Sequence, residues 1–250
     1  MKDLMFFDAN AVVGNTLKGV KPGCAELLKE MDRNGVDKAL VRHGNMAAAG
    51  VLITNREISS MLKDAASDRL YGVWGILPSQ CNELPAGKEF FEAMKFNNIK
   101  ALTLMPDEHR FVACRLTIGK LMDEAAERKI PVLLHGFKLN WKAIYDFMKE
   151  FPHIYAIVSA GHKWGSDRNI RPLLENYENL CVELAGYWVP EGVRDLAEIY
   201  GADRILYGSG FPTYGHGSGM LQLKQSGLNE SDIAKIAGLN MAQLIEGAEI

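Results

Sequence analysis

Cysteine is scarce in this chain, and no two cysteines stand at a short spacing. There are four among 250 residues, at positions 24, 81, 114 and 181, and no CxxC pair occurs. A zinc ribbon or a disulfide framework needs cysteines at close, repeated spacings. The scattered pattern instead predicts reduced, mostly buried thiols in a cytosolic protein.

Long hydrophobic runs and an excess of charge of one sign are also missing. No apolar run approaches the length of a membrane-spanning helix, and the opening "MKDLMFFD" reaches an acid after only a few apolar residues, unlike a signal peptide. The net charge is -3, so no broad basic surface points to nucleic acid or to an anionic membrane. We therefore expect a cytoplasmic protein whose partner is a small-molecule substrate or ligand. The sequence leaves open whether it forms a homodimer.

Eight short apolar runs recur along the chain, and each is followed by a stretch with helical spacing. The runs are "LMFF" (4–7), "KALV" (38–41), "LYGVWGI" (70–76), "IKALTLM" (99–105), "IPVLL" (130–134), "IYAIVSA" (154–160), "LCVELA" (180–185) and "RILYG" (204–208). Parallel strands need crossover helices, so the alternation predicts an α/β protein with a parallel sheet. Eight units in 250 residues fit a single (β/α)8 TIM barrel, one domain over 1–250, with a C-terminal helical extension. A doubly wound open sheet is the alternative, but no glycine-rich dinucleotide fingerprint follows the first run.

In such a barrel the active site lies at the carboxyl ends of the strands. Residues with useful chemistry follow the predicted strands at this end: Asp8, Asn10, Arg42, His43, Asp107, His109, Arg110, His135, His162, Glu183, Tyr187 and Ser209.

His135 and His162 form the sharpest pattern, because they end consecutive strands. Neighbouring strands lie about 4.8 Å apart, so the two imidazoles are predicted to meet over the barrel mouth. Imidazole titrates near neutral pH and binds zinc well. A single histidine at a strand end could merely satisfy a local hydrogen bond, but a matched pair favours a functional site.

Four segments resemble the amidohydrolase-related family, the branch of the amidohydrolase superfamily that includes aminocarboxymuconate-semialdehyde decarboxylase. "IPVLLHG" and "YAIVSAGHKWG" are similar to its fifth and sixth strands, and "GADRILYGSGFP" is similar to its eighth-strand signature. "IAGLNMAQLI", with Asn240, is similar to its closing helix. The resemblance extends from "FFDAN" to the last helix.

The resemblance also implies a degenerate metal site. The family normally begins with Asp-x-His-x-His, whose histidines bind a divalent metal, and an Asp after strand eight completes the site. Here Asp8 is kept, but Asn10 and Val12 stand where the histidines belong, and Gly210 stands where the Asp belongs. No cofactor is therefore predicted. The alternative is zinc held by His135, His162 and a recruited ligand, for which Glu183, His43 and His109 are candidates.

The function that the resemblance implies is that of a hydrolase or a decarboxylase-like lyase acting on a small polar molecule that bears a carboxylate. His135 and His162 would act as acid–base or polarising groups. Asp8 would orient a neighbour and Asn10 would hydrogen-bond substrate or water. Arg42 would hold an anion, or else form an ion pair with Asp8 or Glu183, and Tyr187 and Trp164 would line the substrate pocket. The alternative is a non-catalytic relative that binds a metabolite or a partner.

Overall fold

Eight parallel strands form one sheet in the order β1 to β8 in a computed structural model, which describes residues 4–16, 19, 21–161 and 166–250. The side chains of Cys81 and Asn82 also fall outside the description. The strands are β1 (Phe7–Val13), β2 (Lys38–His43), β3 (Leu70–Gly75), β4 (Ile99–Thr103), β5 (Pro131–Leu133), β6 (Tyr155–Ser159), β7 (Leu180–Glu183) and β8 (Ile205–Leu206).

Helices separate the strands, as crossover connections between parallel strands require. Those of the described residues are α1 (Cys24–Asn34), α2 (Met46–Ala49), α3 (Val51–Ala65), α4 (Lys88–Phe96), α5 (Arg115–Glu127), α6 (Trp141–Glu150), α7 (Asp167–Asn176), α8 (Gly192–Tyr200), α9 (His216–Lys224), α10 (Glu230–Ala234) and α11 (Asn240–Gly247). None of these helices is long and apolar enough to cross a bilayer.

Backbone hydrogen bonds between β1 and the segment after β8 close the sheet into a barrel. The Ala9 N–H donates to the Tyr207 carbonyl at 2.9 Å, and the Gly210 N–H donates to the Asn10 carbonyl at 3.0 Å. The predicted (β/α)8 barrel with a C-terminal helical extension is thereby confirmed.

The first strand differs from the prediction, which ended it at residue 7. β1 continues through Asp8 and Asn10 to Val13, and its residues Ala9, Ala11 and Val13 are all completely buried. Its register against β2 shifts between Asp8 and Ala11, and such an irregularity re-aims the side chains next to it.

An apolar layer fills the barrel below the mouth and fixes which residues reach the mouth. It consists of Phe7, Ala9, Leu40, Val73, Ala101, Leu133, Ile157, Cys181 and Leu206, and it is closed from below by Met241 and Ile245 of α11. Because strand side chains alternate between faces, the residue two positions after a layer residue faces the mouth where the strand is regular, which excludes β1 with its register shift. Arg42, Thr103, His135, Ser159 and Glu183 occupy these positions.

The last helices brace the opposite end of the barrel. α10 begins at Glu230, and its cap is Asn229, whose side chain accepts from the Asp232 N–H. Farther on, the Asn240 amide donates to the carbonyls of Ala202 and Ile205 at 2.8 and 2.9 Å, which ties α11 to β8.

Candidate functional site

A cavity of about 360 Å³ opens at the carboxyl ends of the strands. Its polar lining includes Asn10, Arg42, His135, Ser159 and Tyr214. Its apolar lining includes Leu134, Leu139, Ile144, Val158 and Ala185. A pocket that combines an apolar wall with a few convergent polar groups is the usual form of a small-molecule site.

Glu183 lies at the centre of the polar groups beneath this cavity. Its side chain is completely buried, and Oε2 accepts from the Asn10 amide at 3.1 Å and contacts His135 Nε2 at 3.2 Å. The Ala185 N–H donates to Oε1. A buried carboxylate is tolerable only with such partners, so three elements of the barrel converge on one acid.

The position of Glu183 depends on Gly208, which follows β8. A Cβ atom at Gly208 would lie 1.9 Å from Glu183 Oε1. No side chain fits there, so glycine is required for the carboxylate to reach His135 and Asn10.

His135 occupies a 3-10 turn, Leu134–Phe137, directly after β5. The turn packs against the neighbouring loop at Gly136, where a Cβ would lie 1.8 Å from the Leu104 carbonyl oxygen. With Nε2 facing Glu183, the ring's Nδ1 is buried and has no hydrogen-bond partner in the described part of the chain. A neutral ring that donates from Nε2 therefore keeps an unused acceptor at Nδ1.

Arg42 is a cation without a counterion among the described residues. Its guanidinium lines the cavity and is half-buried, its Nε is enclosed without a partner, and neither Asp8 nor Glu183 comes within ion-pair distance. Burial lowers the pKa of Arg42, and the nearby Glu183 charge opposes that shift. Of the two roles the sequence left open, the fixed ion pair with Asp8 or Glu183 is not formed, and the binding of an anion stays a prediction.

Asp8 lies behind the cavity and ties β1 to the β8 loop. Its carboxylate accepts from the Ser209 N–H at 2.8 Å, from the Ser209 hydroxyl at 2.5 Å and from the Asn10 N–H at 3.0 Å. His216 Nε2 lies 3.3 Å away without hydrogen-bond alignment. Asp8 thus holds the backbone that carries Asn10.

Two predicted histidines point away from the cavity. His43 follows Arg42 on β2 and so faces the other side of the sheet, where its Nε2 lies 3.0 Å from Glu57 Oε2. Burial lowers the pKa of His43, with Glu57 acting in the opposite direction. His109 contacts the Met46 carbonyl at 3.0 Å.

The other predicted residues are placed as follows. Tyr187 is completely buried in the outer core, and burial raises its pKa. Its ring does not line the cavity. Arg110 is exposed on a loop and does not line it either. His162 and Trp164 lie outside the described residues.

Sequence reasoning missed Ser159 and Lys138, which also line the cavity. Ser159 follows the interior Ile157 by two positions on β6, so strand periodicity could have indicated it. No pattern in the sequence marks Lys138.

The described residues around the mouth do not by themselves make a site for a divalent cation. No group of three His, Cys, Asp or Glu side chains able to hold a metal occurs in the described ranges. Asn10 presents its N–H to Glu183 rather than an oxygen, and Val12 and Gly210 have no donor side chains.

Comparison with known families decides the assignment. The sequence model of the family described as amidohydrolase matches residues 29–245. The chain belongs to the amidohydrolase family. A comparison with curated proteins gives no match.

Solved structures of other amidohydrolase-fold proteins cover this family member almost end to end. A putative amidohydrolase from Staphylococcus aureus aligns with a TM-score of 0.74 at 13% identity, covering 97% of this chain and 99% of that one. The 5-carboxyvanillate decarboxylase of Sphingomonas paucimobilis aligns at 0.72 and 12% identity, with 98% and 99% covered. A dihydroxybenzoic acid decarboxylase from Polaromonas sp. JS666, solved with manganese and 2-nitroresorcinol, aligns at 0.72 and 11% identity, with 98% and 97% covered. At these identities the likeness establishes the shared fold.

Proposed function

We propose that this amidohydrolase-family chain is an acid–base enzyme, a hydrolase or a decarboxylase-like lyase, acting on a small molecule that carries a carboxylate. The observation that carries the proposal is the Arg42 guanidinium, which has no counterion among the described residues and lines the same cavity as His135, itself in contact with Glu183. A half-buried cation without a counterion is costly unless a ligand supplies one. A carboxylate matches the fork of a guanidinium.

His135 is the proton-transfer group, and Glu183 orients it. In the hydrolase form of the proposal, His135 removes a proton from water and returns it to the leaving group. In the lyase form, CO2 departs and His135 donates a proton to the carbon that carried it. Glu183 stabilises the protonated ring in both forms, as a carboxylate partner of histidine does in catalytic triads.

Arg42 has a different role in each form. An enzyme accelerates a reaction only through interactions that strengthen in the transition state. In a hydrolase the substrate carboxylate takes no part in bond cleavage. A cation that binds this carboxylate therefore only anchors the substrate. A cation on the departing carboxylate would retard decarboxylation, so in a lyase Arg42 must hold an oxygen that gains charge as CO2 leaves. Some structural relatives are decarboxylases of aromatic acids, which supports including this form.

Asn10 and Asp8 support the pair. The Asn10 amide donates to Glu183, while its Oδ1 is buried without a described partner and is free to accept from substrate or water. Asp8 orients Asn10 through the Asn10 N–H. His162 as a second proton-transfer or polarising group, and Trp164 as a pocket wall, stay predictions.

A non-catalytic binding protein is the second candidate, and the lack of a three-ligand metal group among the described residues favours it. Zinc on His135, His162 and Glu183 stays a further prediction. Metal analysis of protein purified without added metal tests it directly, and near-stoichiometric zinc would support it.

The test of the proposal is a panel of small esters, lactones, amides and β-keto, enol and hydroxyaryl carboxylates, assayed by acid release and by CO2 release. We expect H135N and E183Q to lower kcat at least about 100-fold, as loss of a general acid–base does. H153N, which changes an exposed histidine, should have no effect. R42M should raise KM in a hydrolase and lower kcat in a lyase. Turnover that survives both H135N and E183Q would refute the mechanism, and carboxylate binding without any turnover would support the binding protein.

A further inference from the structure

Two glycines at the mouth leave space for one aromatic ring, that of Tyr214. Gly186 follows β7 with φ +71°, and Gly210 follows β8 with φ +69°. A Cβ at Gly210 would lie 2.9 Å from Tyr214 Cδ2, and one at Gly186 would lie 3.2 Å from Tyr214 Cε2. The Tyr214 ring therefore lies against both backbones and fills the room that a side chain at position 210 would need.

Local structure holds this ring in place. The N–H groups of Thr213 and Tyr214 both donate to the Gly210 carbonyl, at 3.0 and 3.3 Å, in a tight turn. The Gly210 N–H in turn donates to the Asn10 carbonyl at 3.0 Å. The Trp188 ring stands behind, 5.6 Å from Tyr214 between centroids. The ring is thus fixed relative to the strand that carries Asn10.

The cavity consequently has two chemically different parts. Arg42 supplies a cation without a described counterion, whereas the other cation of the lining, Lys138, is paired with Glu108. Tyr214 supplies an aromatic ring, which continues an apolar wall that includes Leu134, Leu139, Ile144 and Val158. The face of an aromatic ring is electronegative and repels an anion, and an apolar wall cannot compensate the lost hydration of a second charge.

We propose that Tyr214 determines the specificity of the cavity, selecting ligands with one carboxylate and an apolar body over ligands with a carboxylate at each end. The carboxylate binds Arg42, and the apolar body packs on the Tyr214 ring. The inference rests on the hydrolase form of the proposed function, because it needs Arg42 to receive a carboxylate.

The test compares pentanoate with glutarate, two acids of equal chain length that differ in one end group, by calorimetric titration of the full chain. The wild type should bind pentanoate at least about tenfold more tightly than glutarate. Y214F keeps the ring and should keep this preference within about twofold. Y214A truncates the side chain and Y214Q replaces the ring with a polar chain. Both should reduce the preference for pentanoate over glutarate to about twofold or less. Y155A, which truncates a half-buried tyrosine at the first residue of β6, at the far end of the barrel, is the matched control and should behave as the wild type.

The outcomes separate the two proposals. Equal binding of both acids by the wild type, or a preference that survives in Y214A or Y214Q, overturns the role of Tyr214 and leaves the proposed function intact. Binding of neither acid by the wild type refutes carboxylate capture by Arg42, and the role of Tyr214 with it. Far-ultraviolet circular dichroism checks that each variant is folded. If Y214A does not fold, the binding preference of Y214Q decides the test.

Discussion

His135 Nε2 lies 3.2 Å from Glu183 Oε2, although 48 residues separate the two in the chain. The contact joins the turn after β5 to the end of β7, and Asn10 from β1 joins it through the same carboxylate oxygen. Three strands that are distant in sequence thus meet at one acid. The geometry of the proposed site depends on keeping that acid in place.

Gly208→Ala should disrupt this arrangement. The new Cβ would lie 1.9 Å from Glu183 Oε1, so the carboxylate must move away from its partners. We expect the free energy of unfolding to fall by about 2 kcal/mol or more, as for overpacked cores, measured by urea denaturation. Gly215→Ala is the control, because a Cβ there meets nothing within 4 Å. Equal stability of the two variants would mean that Gly208 does not confine Glu183.

Asp8→Asn should loosen the junction between β1 and the β8 loop. The Asp8 carboxylate accepts hydrogen bonds from buried donors of Asn10 and Ser209. The change replaces one of its oxygens with an NH2 group, which cannot accept them. Hydrogen bonds to a charged group are worth about 1.5–3 kcal/mol each, so we expect a loss of about 2–3 kcal/mol in urea denaturation. Asp146→Asn breaks only an exposed pair with Lys142 and should cost about 0.5 kcal/mol or less. A loss no larger for Asp8→Asn than for this control would contradict the role given to Asp8.

Stability should fall with acidification through His43. Burial lowers the pKa of His43 below its ordinary value of 6.5. Just below pH 6.5 the unfolded chain therefore gains a proton that the folded chain does not, and the free energy of unfolding decreases by at most about 1.4 kcal/mol per pH unit. Comparing urea denaturation at pH 7.5 and pH 5.5, His43→Gln should show a smaller decrease than the wild type. His153→Gln, at an exposed position, should match the wild type, and an unchanged decrease in His43→Gln would refute the assignment.

Cysteine reactivity should follow burial. Burial raises the pKa of the Cys24 thiol to about 11 and that of Cys181 to about 12, whereas Cys114 is only half-buried. Since the thiolate is the nucleophile, iodoacetamide at pH 8 should label Cys114 in the native protein and reach Cys24 and Cys181 only after denaturation. Peptide mass mapping follows each site separately. Native labelling of Cys24 or Cys181 at the Cys114 rate would contradict the packing.

The barrel was predictable because each strand is a short apolar run followed by a helical stretch, a pattern that buried parallel strands share. The same property hid the role of Glu183. In "LCVELA" nearly every residue is apolar, so no alternation reveals that Cys181 faces the interior and that Glu183 therefore reaches the mouth.

The proposed site was predictable in its residue types but not in its pairings. Asn10, Arg42 and His135 were found because strand ends carry the chemistry of this fold. That Arg42 has no counterion in the described part of the chain depends on distances to Asp8 and Glu183 that only the folded chain sets. Similarly, Tyr187 and Tyr214 are both loop aromatics in the sequence, and only the closed barrel turns Tyr214 to the cavity and Tyr187 into the core.

The central claim is that the Arg42 guanidinium receives a carboxylate from outside the protein. The most direct measurement is the 15N-detected Nε–Hε resonance of Arg42, assigned by its loss in R42M, during titration with pentanoate. We predict a saturable shift of that resonance, because a carboxylate bound to the cavity-lining part of the guanidinium changes the electronic environment of the enclosed Nε–H group. A resonance that stays unchanged at saturating pentanoate would contradict the account.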